Sequence, residues 1–249
     1  MQTQSIQLGH FVLPVFGVLA AVGLMAALSL SLRTAAKLRL SPDNVWNAGL
    51  FMLITAFVLS RLLLIADNLN SFISFPLTML AVPSLTPLGV LGTVVVTLLY
   101  LYFRHLPVLS VLDAWAPCAT LIWMFLALGH FAEGSDPGLI TPVPWSILSP
   151  TGLSHLHPVS LYVAAAACVL TVVLLWHLSL KQRPGSTAVL GLVAAGVAQF
   201  FITFYRQPSF EELPASIDFL DPIQWAAVGM IVAAGLLFLL SRKLDPDAV

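Results

Sequence analysis

The chain has 249 residues, of which 59% are hydrophobic and only 8% are charged, against about 25% charged in an ordinary soluble domain. This composition excludes a water-soluble fold, and the mean hydropathy of +0.98 indicates a membrane protein. The formal net charge is -1, and the sequence contains no stripe of basic residues. Nucleic acid is therefore excluded as a partner.

Seven apolar segments approach or exceed the length of helix, roughly 20 residues, that crosses a hydrocarbon core. In chain order they are residues 11–32, 45–66, 87–103, 114–131, 158–180, 188–205 and 223–240. Asp113 directly precedes the fourth segment and is predicted to be its N-cap. An eighth apolar run, residues 72–82, is too short to cross and contains Pro76, so we predict an interfacial or re-entrant piece there. The sequence therefore predicts an all-α polytopic membrane protein of about seven transmembrane helices, forming a single transmembrane domain over residues 1–249.

The distribution of Lys and Arg predicts the orientation, since cationic residues in short loops stay on the cytoplasmic side. If the seven helices cross the membrane in alternating directions, all but two of the ten cationic residues lie on one side of the membrane. Those on the cytoplasmic side are Arg33, Lys37, Arg39, Arg104, Lys181, Arg183, Arg242 and Lys243. We therefore expect an outward N-terminus and a cytoplasmic C-terminus. Arg61 and Arg206 are the two cationic residues that this orientation does not explain, so they are candidates for a functional role.

Arg61 lies inside the second segment and Arg206 at the outer end of the sixth. An ionisable group within the membrane costs several kcal/mol unless it faces a polar cavity, so each is a functional candidate. Three roles are open to Arg61: it binds an anion, it extends its side chain to the outer lipid headgroups, or it forms a structural ion pair. Arg206 offers a fork of donors that matches a phosphate, such as that of a lipid headgroup, and the alternative is a plain interfacial anchor.

Histidines and acids cluster in the predicted outer loop between the fourth and fifth segments. His130 and Glu133 are three residues apart and would share a helical face, and His155 and His157 flank Leu156 at the entry to the next helix. Imidazole and carboxylate groups of this kind could ligate zinc or a similar ion. Acid–base work or substrate hydrogen bonding is a second interpretation, and ordinary loop residues are a third.

Several short motifs resemble those of one enzyme family. Residues 157–162 read H-P-V-S-L-Y, close to H-P-x-Q-L-Y-E, and residues 204–208 read F-Y-R-Q-P, close to F-F-R-x-P. Gln224 stands where the family has the Gln of M-G-Q, residues 129–131 where it has G-N-F, and Arg61 where it has an Arg in its second helix. By these motifs the chain resembles bacterial prolipoprotein diacylglyceryl transferases.

Members of that family move the diacylglyceryl group of phosphatidylglycerol onto the cysteine thiol of a lipoprotein precursor at the outer face of the inner membrane. The resemblance thus implies phosphatidylglycerol as the phospholipid substrate, a lipoprotein precursor as acceptor, and a multi-pass protein of the bacterial plasma membrane. No cofactor is expected, and a metal ion would be held by the four outer residues His130, Glu133, His155 and His157. We predict as catalytic residues His130, Glu133 and His157. We predict as substrate- or phosphate-binding residues Arg61, Arg206, Tyr162 and Gln199.

The resemblance is incomplete at the family's polar motifs. In G-R-x-G-N-F-x-N-x-E the Arg, both Asn and the Glu are replaced by Ala127, His130, Glu133 and Ser135. H-G-G becomes P-L-G at residues 87–89, and two further family positions, an Arg and a Glu, are Gln199 and Thr203. Two alternatives therefore stand beside a transferase: a diverged paralogue whose His/Glu site, with or without a metal, acts on another lipid, and a non-catalytic lipid-binding subunit.

Overall fold

The computed structural model describes residues 5–8, 11–74, 86–149, 152–180, 182–207 and 220–243. Within these residues the chain forms eight helices and four short strands. The helices are α1 (Val15–Lys37), α2 (Pro42–Asp67), α3 (Leu69–Ser74), α4 (Pro87–Phe103), α5 (Val108–Glu133), α6 (Val159–His177), α7 (Ser186–Thr203) and α8 (Pro222–Lys243). The strands are β1 (Ser5–Leu8), β2 (Phe11–Pro14), β3 (Ile147–Leu148) and β4 (His155–Leu156).

The prediction of an all-α polytopic membrane protein is confirmed. Six helices, α1, α2 and α5 to α8, are long and apolar enough to cross a membrane, and α4 is a shorter apolar helix. Each predicted segment overlaps one of these seven helices. The number of spans and their orientation remain predictions, because the structure contains no membrane.

The first helix begins later than predicted. Residues 11–14 form β2, which pairs antiparallel with β1 from Ser5 opposite Pro14 to Leu8 opposite Phe11. Pro14 has an extended backbone (φ -65°, ψ 132°), and α1 starts directly after it. Apolar composition alone does not separate a strand from a helix here, whereas a proline is favoured at a helix start over a helix interior.

The predicted interfacial run lies mostly outside the described residues. Its first three residues belong to α3, a helix of 6 residues that follows α2 after Asn68. The remainder falls in residues 75–85, which the structure does not describe.

The helices pack through small and hydroxylated side chains. α5 contacts α1, α6 and α7, while α7 also packs on α8 and α4 packs on α2. A Cβ on Gly196 of α7 would lie 2.8 Å from the carbonyl oxygen of Ala227 in α8, so glycine permits this close approach. Between α6 and α5, the Thr171 hydroxyl donates to that of Thr120 at 2.9 Å, which pairs polar groups inside the bundle. Because α5 packs on both α6 and α7, it positions the ends of these two helices.

The prediction that Asp113 caps its own helix is wrong. Pro107 adopts the extended N-cap conformation and α5 begins at Val108, which leaves Asp113 inside the helix and buried. Its two carboxylate oxygens accept the backbone N–H groups of Gly185 (2.6 Å) and Ala188 (2.8 Å) at the start of α7. The N-terminus of a helix leaves such N–H groups unpaired, and Asp113 satisfies two of them from another helix.

Candidate functional site

The candidate site lies where α5 ends, α6 begins and α7 ends. Gly134 terminates α5 in the left-handed conformation (φ 63°), which favours glycine and turns the chain back over the bundle. The following segment runs between two others: Leu139 N–H donates to the Tyr205 carbonyl (2.8 Å), and His157 N–H donates to the Leu139 carbonyl (2.9 Å). A Cβ on Gly138 would overlap the carbonyl oxygen of His157, so only glycine fits there. This small antiparallel arrangement fixes the backbone on both sides of the site.

Arg206 is held between two carboxylates. Its Nε donates to Asp136 Oδ1 at 2.7 Å, and its Nη1 lies 3.9 Å from Asp221 Oδ2. The three side chains are about one fifth exposed, at 21%, 23% and 20%. Asp221 also accepts the Ile223 N–H at 2.7 Å and so caps α8. The short contact to Asp136 is a charge-assisted hydrogen bond, whereas the contact to Asp221 is a looser ion pair.

Two neighbouring cavities lie at the candidate site. The first, of about 430 Å³, is lined by His130, Glu133 and Asp136 among others, and the second is about 320 Å³. His130, Asp136 and Ser160 line both cavities, and only the second reaches Arg206 and Gln199. The second cavity therefore combines a guanidinium, an imidazole and an amide with apolar walls from α5 and α6.

His130 is oriented by Ser135. Its Nδ1 lies 2.9 Å from Ser135 Oγ, which in turn lies 3.5 Å from the His130 carbonyl oxygen. When the serine hydroxyl donates to that carbonyl, Nδ1–H is the donor to Oγ and Nε2 is the acceptor nitrogen of the ring. Ser135 therefore orients the His130 imidazole through Nδ1.

His157 belongs to an aromatic cluster that we call the Tyr162 cluster, formed by Trp145, His157, Tyr162 and Tyr205. Trp145 Nε1 donates to the Tyr162 hydroxyl at 2.8 Å, and this hydroxyl lies 3.1 Å from His157 Nδ1. An indole can only donate, so the Tyr162 oxygen accepts from Trp145 and its own O–H can donate onward to Nδ1 of His157. The His157 ring is 5.0 Å from that of Tyr205, next to Arg206. His157 and Tyr162 are not among the described residues that line either cavity.

The predicted metal ligands are not gathered into one set. His155 Nδ1 lies 3.1 Å from Ser146 Oγ, while His130 and His157 bond to Ser135 and Tyr162. Across the parts of the chain that the structure describes, no group of three His, Cys, Asp or Glu side chains could hold a metal ion.

The sequence of the chain matches a known protein family. The family model for prolipoprotein diacylglyceryl transferase matches residues 3–240. The chain belongs to this family.

Three relatives illustrate the extent of the similarity, and each bears the name phosphatidylglycerol–prolipoprotein diacylglyceryl transferase. The one from Bordetella parapertussis is 31% identical over 159 residues, 62% of this chain and 60% of the relative. The one from Pseudoalteromonas translucida is 32% identical over 153 residues (60% and 57%), and the one from Janthinobacterium sp. is 34% identical over 146 residues (55% and 54%). The chain therefore spans less than two thirds of the curated relatives that it matches.

The two motifs of the diacylglyceryl transferase family that this chain keeps best meet in space. Tyr162, from residues 157–162, has its ring 6.1 Å from that of Tyr205, from residues 204–208. The backbone of residue 139 bonds to Tyr205 on one side and to His157 on the other. The retained motifs thus contact the segment that carries Arg206.

Arg61 lies apart from this cluster. Its guanidinium carbon is 5.2 Å from the ring centroid of Phe57, one helical turn earlier in α2. Arg61 is not among the described residues that line the two cavities, so the structure does not place it beside Arg206. Its anion-binding role stays a prediction.

The sequence did not single out the partners of Arg206 and His130. Asp136 and Asp221 belong to no motif, and Ser135 stands out only as the residue at the position of the family's Glu. A charge argument could have found the acids, because a half-buried arginine needs carboxylate partners. No sequence signal distinguishes which of the acids would provide them.

Proposed function

We propose that this chain is a membrane transferase that moves the diacylglyceryl group of phosphatidylglycerol to the thiol of a lipoprotein precursor, at the outer face of the bacterial inner membrane. Membership of the family and the names of the relatives support this substrate pair. One observation assigns the proposed reaction to particular residues: His130 and Arg206 line the same cavity. A base and a phosphate-binding cation are the two groups that the reaction requires.

In the proposed step the thiolate sulfur attacks the glycerol carbon that bears the phosphate. A carbon–sulfur bond forms, the carbon–oxygen bond to the phosphate breaks, and glycerol phosphate leaves with the electron pair. A cysteine thiol has a pKa of about 8.5, so a base must take its proton, and His130 Nε2 is the group proposed for this. Arg206 binds the departing phosphate and stabilises its charge.

The remaining predicted residues take supporting roles. Gln199 contributes its amide to the same cavity as Arg206, and Glu133 lines the neighbouring one. His157 and Tyr162 hold the Tyr205 ring next to Arg206 and act as positioning residues. Because the Asp221 contact is the longer one at 3.9 Å, we expect an incoming phosphate to displace it before the 2.7 Å contact to Asp136.

The direct test uses the full chain in lipid nanodiscs that contain phosphatidylglycerol, with a lipobox peptide as acceptor. Mass spectrometry of the peptide should show one thioether-linked diacylglyceryl group. We expect Arg206→Gln to lower the rate by about 100- to 1000-fold, the cost of losing a group that stabilises developing charge. Arg104→Gln, at the opposite end of the bundle, should leave the rate unchanged. Wild-type protein that yields no product would refute the proposal for this substrate pair.

Lipid binding without transfer is a second candidate function. It is favoured by Ala127, which lines the Arg206 cavity at the position where the family motif has an arginine. In that case phosphatidylglycerol copurifies with wild-type protein and is lost from Arg206→Ala, while neither protein modifies the peptide. A repurposed site on another lipid would instead show transfer from a different phospholipid and loss of transfer in His130→Ala.

A further inference from the structure

A second groove lies at the end of the bundle opposite Arg206, between α7 and α8. This α7–α8 groove has a volume of about 310 Å³ and is lined by Arg183, Ser186, Leu190, Val193, Phe238 and Arg242 among others. Among the described residues, the groove and the candidate site share no lining residue, and Ser186 at the mouth of the groove lies about 20 Å along α7 from Gln199. In the predicted orientation the groove opens at the cytoplasmic leaflet.

The mouth of the groove is cationic. Arg183 lies just before α7, and Arg242 lies in the last turn of α8 with its guanidinium carbon 4.6 Å from the Phe238 ring centroid. Placing the arginine over this ring orients its planar fork beside the groove, where its donors match a phosphate. No acidic residue is among the described residues that line the groove.

A buried hydroxyl adds a second polar feature. Ser186 Oγ is buried and has no hydrogen-bond partner among the described residues. Leaving such a donor unsatisfied costs free energy, so an acceptor from a ligand would stabilise it. The nearby carboxylate of Asp113 already accepts from two backbone N–H groups, and it is buried on the α5 side of α7.

The floor of the groove is apolar. Leu190 and Val193 of α7 face Phe238 of α8 across it, and Val193 is 37% exposed. A cationic mouth above an apolar floor at a membrane surface complements one chemical class, a phosphate headgroup with an acyl chain. A soluble anion would leave the apolar floor empty, and a lipid without net charge would not complement the charge of the arginines.

We propose that the α7–α8 groove binds an anionic phospholipid. The phosphate lies between Arg183 and Arg242, where Ser186 can donate to a phosphate or ester oxygen, and one acyl chain covers Leu190, Val193 and Phe238. The lipid would join the two helices whose other ends carry Arg206 and Asp221. This proposed lipid binding is independent of the proposed transfer reaction, because no described residue of the candidate site lines the groove.

The test is native mass spectrometry of the full chain titrated with dioleoyl phosphatidic acid, with dioleoyl phosphatidylcholine as the neutral comparison. All proteins carry Arg206→Gln, which removes the phosphate contact in the other cavity. Adding Arg183→Gln and Arg242→Gln should weaken the tightest anionic lipid by about tenfold or more, as expected for two basic residues near a membrane surface. Adding Arg33→Gln and Lys37→Gln, an equal loss of charge at the same end, should not.

A groove-filling variant separates the acyl site from charge alone. Val193→Trp keeps both arginines and should also weaken phosphatidic acid binding, because the indole occupies the acyl path. Equal weakening by the Arg33 and Lys37 pair would mean non-specific attraction and would overturn the proposal. Unchanged binding in the Arg183 and Arg242 pair, or in Val193→Trp, would overturn it as well. Asp245 and Asp247 follow α8 in the sequence, outside the described residues, and direct measurement of bound lipid distinguishes lipid phosphate from these carboxylates.

Discussion

Two carboxylates hold the two ends of α7 in different ways. Asp113, inside α5, is 3% exposed and accepts from backbone N–H groups at the start of α7. Asp136, just after α5, has a side chain 23% exposed and accepts from the side chain of Arg206, just after α7. Backbone donors cannot leave their acceptor without unwinding the helix, whereas an arginine can change its rotamer. The start of α7 is therefore held by bonds that cannot be exchanged, whereas the ion pair after its end can open, as the proposed binding of phosphate by Arg206 requires.

The difference also has a physical basis in solvent. A buried carboxylate is tolerated only when its oxygens are fully hydrogen-bonded, so each bond to Asp113 is expensive to remove. A partly exposed ion pair is screened by water and contributes little to stability. Substitutions at four positions test this contrast, given from the largest expected effect to the smallest.

Asp113→Ala should cost the most. It leaves the N–H groups of Gly185 and Ala188 without their acceptor, and we expect the free energy of unfolding to fall by about 3 kcal/mol, since hydrogen bonds to charged groups contribute roughly 1.5–3 each. Chemical or thermal unfolding in nanodiscs measures it. Asp113→Asn keeps one acceptor and should lose less, and the exposed Asp43→Ala should change stability by under about 0.5 kcal/mol. Equal stability of Asp113→Ala and wild type would contradict the capping role.

Gly138→Ala should disturb the outer end. The new Cβ would meet the carbonyl oxygen of His157, so the two segments must separate at a cost of about 1–3 kcal/mol, as for other overpacked sites. Because residue 138 forms a β-bridge with Arg206, we also expect slower peptide modification in the transfer assay. Gly229→Ala is the matched control, since a Cβ there meets nothing within 4 Å. A Gly138→Ala protein as stable and active as this control would show that the segment is not constrained.

Asp136→Asn should have a smaller effect than Asp113→Ala or Gly138→Ala, about 1 kcal/mol of stability, because the ion pair is partly exposed. Asp221→Asn should lose still less, since its contact with Arg206 is 3.9 Å against 2.7 Å and asparagine keeps the cap on α8. Unfolding of both variants under the conditions used for Asp113 gives the comparison. A loss at Asp136 as large as that at Asp113 would remove the distinction between the two ends of α7.

The sequence by itself determined the membrane class, the approximate positions of the seven apolar helices and the choice of Arg206 as a candidate functional residue. These follow from local or additive properties: apolar length sets a possible span, and counting charges by side leaves few cations for function. Motifs in residues 157–162 and 204–208 also indicated the family, because they are contiguous in the chain. The start of α1 was missed by a few residues, since hydropathy does not distinguish β2 from a helix.

Only the tertiary structure decided which groups meet. Asp113 finds its partners 72 and 75 residues away, and Asp136 is 70 residues from Arg206. Such pairs depend on how helices pack and where loops fold back, which no local pattern encodes. For the same reason the histidines that seemed a metal set in sequence bond to separate hydroxyls, while His130 and Arg206 come to line one cavity.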